Sequence, residues 1–155
     1  MLGLAAQWLG VNQTQANSVA PILISEEQGL HKSTFCRMLM PPQLARYYSD
    51  NLKLTAQGNP ERLLAEMGLL NMDEFDKFGA QKMPLLKNLM QMSSLNICKA
   101  YQKNFRSLPR IASFIGTSNR TDLLCDPTGS RRFICIEAEH DIDCTGICLL
   151  YTSDA

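Results

Sequence analysis

Short apolar runs alternate with amphipathic stretches along this chain, and their order predicts an α/β fold. Val19 to Ser25 is apolar at nearly every position, as a central parallel strand buried on both faces should be. Leu69 to Met72 and Ile111 to Thr117 repeat the pattern, and Phe133 to Ala138 reads as a further strand. Arg46 to Ser49, with its two tyrosines, reads as a short one. Helical spacing covers Lys32 to Met40, which Pro41 and Pro42 terminate. It returns from Asn59 to Met67, where Pro60 suits the first turn and Glu61 the dipole. A third helix is expected over Lys82 to Leu95, its Leu/Met stripe facing the core. Met1 to Gly10 reads as the end of a helix with no N-terminal cap, and the stretch from Val11 to Ser18 as polar loop.

At 155 residues, with 45% hydrophobic and 19% charged positions, the chain reads as one globular domain. Fifteen Lys+Arg balance fifteen Asp+Glu, so a nucleic-acid contact must come from a local patch and not from a global field. MLGLAAQWLG lacks a basic n-region and a cleavage site, and no run is long enough for a membrane span. Six cysteines without CxxC spacing are expected reduced, which makes cytoplasm the default location.

Candidate chemistry gathers at strand ends. In PILISEEQGLHKST an apolar run leads through a glycine turn into Lys32-Ser33-Thr34 at a helix start. That is the layout of a phosphate-binding loop, comprising Gln28, Gly29, Leu30, His31, Lys32, Ser33 and Thr34. Backbone N–H groups would face an anion, Lys32 would reach β/γ-phosphates and the Ser33 hydroxyl would bind Mg²⁺. The motif G-x-x-x-x-G-K-[ST] has glycine where Glu26 and His31 stand. A carboxylate facing phosphates is unfavourable, and histidine does not easily take glycine's backbone angles.

The strand Leu69 to Met72 ends in Asp73 and Glu74, where the first acid would hold Mg²⁺ through water and the second would polarise an attacking water. Their plain alternative is a pair of solvated carboxylates. Ile111 to Thr117 ends at Ser118-Asn119, and Asn119 could align that water or merely cap a turn. Arg131 and Arg132 follow the turn at Asp126 to Ser130; either could face a neighbouring phosphate or a surface acid. Between the acids and the asparagine, Lys99, Lys103, Arg106 and Arg110 interleave with Tyr101 and Phe105. Basic groups neutralise phosphates and aromatic rings stack on bases, so this stretch is a candidate surface for single-stranded nucleic acid. Ligands of open α/β sheets bind at the carboxyl ends of strands, where Lys32-Ser33, Asp73-Glu74 and Asn119 are expected to converge.

The run FIGTSNRTDLLCDPTGSRRFICIE, Phe114 to Glu137, resembles the virulence-associated protein E (VapE-like) family, as do LLNMDEFDKF and QGLHKSTFCR. The family comprises ATPase domains related to helicases of phage and mobile-element replication proteins. The resemblance implies a P-loop NTPase fold of the helicase/AAA+ type, a three-layer sandwich with a mainly parallel sheet, working as a ring on DNA. It implies that ATP and Mg²⁺ are bound by Lys32, Ser33 and Asp73, with Glu74 activating water and Asn119 as sensor. Arg131 or Arg132 would reach a neighbouring subunit's ATP, and Lys99 to Arg110 falls where relatives place a DNA-contacting loop.

The domain reading is a preceding helical segment to residue 18, an ATPase core over 19–143, and a tail over 144–155 outside the family pattern. That tail reads as translated adapter sequence, and the chain as a fragment. The rival function, from a different class, is a non-catalytic nucleic-acid-binding or assembly module whose loop Glu26 and His31 have disabled.

Overall fold

Strands that are apolar on both faces need a helical layer on each side, and the chain supplies both. A computed structural model describes residues 2–10, 17–55, 58–98, 105–120 and 132–145. In chain order the elements are α1 (Leu2–Trp8), β1 (Ala20–Ile24), α2 (Lys32–Met38), β2 (Tyr48–Ser49), α3 (Pro60–Glu66), β3 (Leu69–Met72), α4 (Met83–Gln91), β4 (Ser94–Cys98), β5 (Phe105–Pro109), β6 (Ser113–Ser118) and β7 (Phe133–Glu137). Single 3-10 stretches cover Pro42–Tyr47, Phe75–Lys77 and Ala80–Lys82.

The main sheet has the order β2-β3-β6-β1-β7, and every pairing in it is parallel. β3 and β6 are buried at every position, which is why they carry no polar alternation in sequence. On one face Ile22, Leu70, Met72 and Phe114 meet Leu64 of α3 and Leu86, Leu89 and Met90 of α4. On the other, Leu23, Leu69 and Ile115 meet Cys36 and Met40, with Trp8 of α1 and Phe35 of α2 packed alongside. Gly116 lets the central strands close up, because a Cβ there would sit 2.6 Å from Ile22 Cδ1 and 3.2 Å from the Met72 carbonyl. Among the described residues no helix is long and apolar enough to cross a membrane.

Three expectations shift. The helix expected to reach Leu95 ends at Gln91, and Ser94 to Cys98 instead pair antiparallel with Phe105 to Pro109. Met92 is extended at the helix cap, serines compete poorly for helix, and Leu95 buries itself in the core as a strand residue. Only Tyr48 and Ser49 of the expected Arg46 to Ser49 strand pair with β3. β6 begins at Ser113, because the N–H groups of Ile111 and Ala112 both donate to the Leu64 carbonyl, at 3.1 Å each.

Leu64 therefore joins α3 to the sheet twice, through its backbone and through a side chain with no exposed surface. Leu64→Ala is expected to lower unfolding free energy by about 2–5 kcal/mol, read from urea denaturation midpoints. A loss below about 1 kcal/mol would mean the layer collapses to fill the space.

Candidate functional site

Parallel register decides where the polar strand ends emerge. Ile24 stands opposite Ser118, and Met72 opposite Gly116, so the residues following β1, β3 and β6 leave the sheet at one edge. They enclose a cavity of about 430 Å³, lined by residues 28–34 of the β1–α2 loop, by Asp73 and Glu74, and by Thr117, Ser118 and Asn119. The structure thus brings together Gln28, Gly29, Leu30, His31, Lys32, Ser33, Thr34, Asp73, Glu74 and Asn119.

Lys32 is 7% exposed, although it carries the first turn of α2. Its Nζ donates to Ser25 Oγ, to Asn119 Oδ1 at 2.8 Å and to the Glu27 carbonyl at 3.3 Å. Burial lowers its pKa, and the Asp73 carboxylate partly offsets that. All three partners are neutral oxygens, so the ammonium is desolvated without a carboxylate in contact among the described residues. Such a cation is costly on its own and attracts an anion into the cavity.

Beside it, Asp73 Oδ1 accepts the Ser33 hydroxyl at 2.7 Å and the Thr117 hydroxyl at 2.6 Å. Ser33 donates its proton there, which leaves its oxygen lone pairs free. Glu74 sits in the left-handed region at φ 51, and its carboxylate meets Lys77 Nζ at 2.5 Å. Both members of that pair are exposed, so it holds the side chain only weakly. Cys36 packs in the core with Leu23, Leu69 and Ile115, where desolvation and then Asp73 push its thiol pKa up to about 12.

His31 and Glu26 depart from what the motif led one to expect. Glu26 is exposed and lies outside the cavity lining. His31 does adopt the left-handed angles, at φ 56 and ψ 22, that its residue type disfavours. Its Nδ1 lies 2.7 Å from Asp141 Oδ1, and the Ile142 N–H donates to the Leu30 carbonyl at 3.4 Å. The segment after β7 thus meets the loop through one exposed side-chain pair and one long backbone bond.

The basic patch is not one surface. Arg106 is exposed on β5, but Arg110 is 1% exposed and leaves the patch. Its Nη2 donates to the Asn17 carbonyl at 2.7 Å, its guanidinium lies 5.6 Å from the Phe114 ring centroid, and burial pulls its pKa down to about 10. Lys99, Tyr101 and Lys103 fall outside the described residues, as does Arg131. Arg132 is half-buried just before β7, at the amino end of a parallel strand, so it is not part of this chain's own cavity.

Four contributors were not singled out from sequence. Ser25, Thr117 and Ser118 continue the polar break at buried strand ends, a signal that was present. Ser118 donates to Asp76 at 2.9 Å and receives the Arg120 N–H at 3.0 Å. Asp141 had no local signal, since it acts across 110 positions.

The model of the virulence-associated protein E-like domain matches residues 10–149. No curated protein matches the chain. Solved structures of the NrS-1 C-terminal region share the fold. Its apo structure has a TM-score of 0.61 at 21% identity, over 96% of this chain and 38% of that one. An A-form apo structure gives 0.58 at 22% identity, over 96% and 37%. A further A-form structure gives 0.54 at 24%, over 96% and 38%. The chain thus spans little more than a third of those relatives' length.

Left-handed backbone at a β-carbon residue costs about 1–2 kcal/mol, which glycine avoids and a β-branched residue aggravates. His31→Gly is expected to leave stability unchanged or raise it by up to about 1 kcal/mol, whereas His31→Val lowers it by about 1–2 kcal/mol. Urea unfolding of the three chains reads this directly, and equal midpoints for His31→Val and the parent would contradict the loop geometry.

Proposed function

The chain belongs to the virulence-associated protein E-like domain family, and on that premise we propose that it is the ATP-binding core of a DNA-associated, helicase-type ATPase from a phage or mobile-element replication protein. The observation that carries this is the buried Lys32 ammonium, held by neutral oxygens at the wall of a cavity of about 430 Å³. A polyphosphate supplies the missing negative charge, in a space of the size that small ligands fill.

The neighbouring donors suit Mg²⁺. Ser33 and Asp73 offer only oxygen, the preference of a hard cation. Among the described residues no three His, Cys, Asp or Glu side chains gather, and Mg²⁺ bound with substrate phosphates takes few protein carboxylates. When bound, it would supply positive charge against the phosphates. The protein's own part is positioning and proton handling. Lys32 holds phosphate oxygens, Asn119 steadies Lys32 and aligns the attacking water, and Glu74 exchanges Lys77 for that water to take its proton. Arg132, or Arg131 beside it, serves a neighbouring subunit's ATP in a ring, a contribution worth about 10³-fold or more in rate. Single-stranded DNA passes the β4–β5 hairpin, to which the exposed Arg106 contributes charge.

Calorimetric titration of Mg²⁺-ATP into the chain and its Lys32→Ala variant tests this. Removing the ammonium is expected to weaken binding about 10- to 100-fold. A folded parent chain that binds no ATP, or a variant that binds as well as the parent, would overturn the nucleotide site and favour the non-catalytic nucleic-acid module.

A further inference from the structure

We propose that Thr117 is a positioning residue for the metal-bound nucleotide, its buried hydroxyl fixing which oxygen of Asp73 is presented to the cation. The inference rests on the ATP-binding reading and deepens it.

Thr117 is the next-to-last residue of β6 and only 4% exposed. A hydroxyl has one proton to give and lone pairs to accept with, and here both capacities are used. The proton goes to Asp73 Oδ1 at 2.6 Å, and a lone pair receives the Glu74 N–H at 3.3 Å. Thr117 thus ties the carboxylate of one acid to the backbone of the next, across a turn that Glu74 takes at φ 51. Because Thr117 is β-branched and packed in a strand, its hydroxyl cannot swing freely.

The second donor falls on the same atom. Ser33 reaches Asp73 Oδ1 at 2.7 Å, so that oxygen accepts two hydroxyls, while Oδ2 has no partner among the described residues. The carboxylate torsion of aspartate is otherwise broad. With Oδ1 occupied from two sides, the plane of the group is set and Oδ2 is the oxygen left for a cation, beside the free lone pairs of Ser33. Neighbours that orient a metal ligand in this way typically govern affinity by about 10- to 100-fold.

Nothing in strand packing requires the hydroxyl. Valine has nearly the same shape and belongs in a buried parallel strand, so a residue serving only the core would need no oxygen there.

The test is ATP binding by the whole chain across a series of free Mg²⁺ concentrations, and again in chelator, for the parent, Thr117→Val and Thr117→Ser. Thr117→Val is expected to need about tenfold more Mg²⁺ for half-maximal enhancement of ATP binding, with metal-free ATP affinity unchanged within about twofold. Thr117→Ser is expected to restore the parent's requirement. If Thr117→Val keeps the parent's Mg²⁺ requirement while the parent binds ATP, the Thr117 role falls and the ATP site stands. If metal-free and metal-bound affinity fall together with the thermal midpoint, the hydroxyl is structural and the proposal is overturned. A folded parent that binds no ATP with or without Mg²⁺ removes both. Should Thr117→Val not fold, Thr117→Ala over the same Mg²⁺ series decides by the same criteria.

Discussion

Parallel pairing around β6 is the constraint on which the rest depends. With β1 on one side and β3 on the other, β6 fixes the heights at which three loops leave the sheet. A slip of one residue would turn every side chain of β6 to the opposite face. It would withdraw Thr117 from Asp73 and Asn119 from Lys32, contacts made at 2.6 Å and 2.8 Å. The hydrophobic layers on both faces hold that register. The packing of Ile22, Met72 and Phe114 against α3 and α4 is therefore also what sets the geometry of the polar edge.

At that edge, charge is concentrated but not cancelled. A buried ion pair would satisfy Lys32 and leave nothing to attract a ligand. Instead, serine, asparagine and a carbonyl orient the ammonium without neutralising it, while the nearby acid engages hydroxyls. The protein layers alone do not discharge this arrangement. Arg110 is likewise buried without a carboxylate in contact among the described residues, its guanidinium met by one carbonyl and a phenylalanine ring, but it lies outside this cavity's lining.

What was legible in the sequence was what local pattern determines. Strands buried on both faces announce themselves as apolar runs, and the polar residues that end them are adjacent in sequence, so Lys32, Asp73 and Asn119 could be set at one edge beforehand. Legibility ended where a distant residue decides. His31 looked unsuited to its position on residue type, yet it takes the left-handed angles there, and its contact with Asp141 comes from 110 positions away. Arg110 looked like part of a basic surface because counting charges does not reveal burial. The end of α4 was misjudged because Leu95 has equal claims as a helical or strand residue, and only pairing with Leu108 settles the matter.

The contact of the loop with Asp141 also has a consequence in time. β1 has β7 as one neighbour, and His31 meets a partner 110 positions further along the chain. A ribosome adding about 5–20 residues per second leaves an interval of roughly 5–20 s between the emergence of the two. Through that interval one edge of β1 offers unpaired backbone groups of the kind that recruit stray strands. The loop is made before the residue that meets it, so during synthesis the nascent chain passes through a stage in which β1 needs shielding.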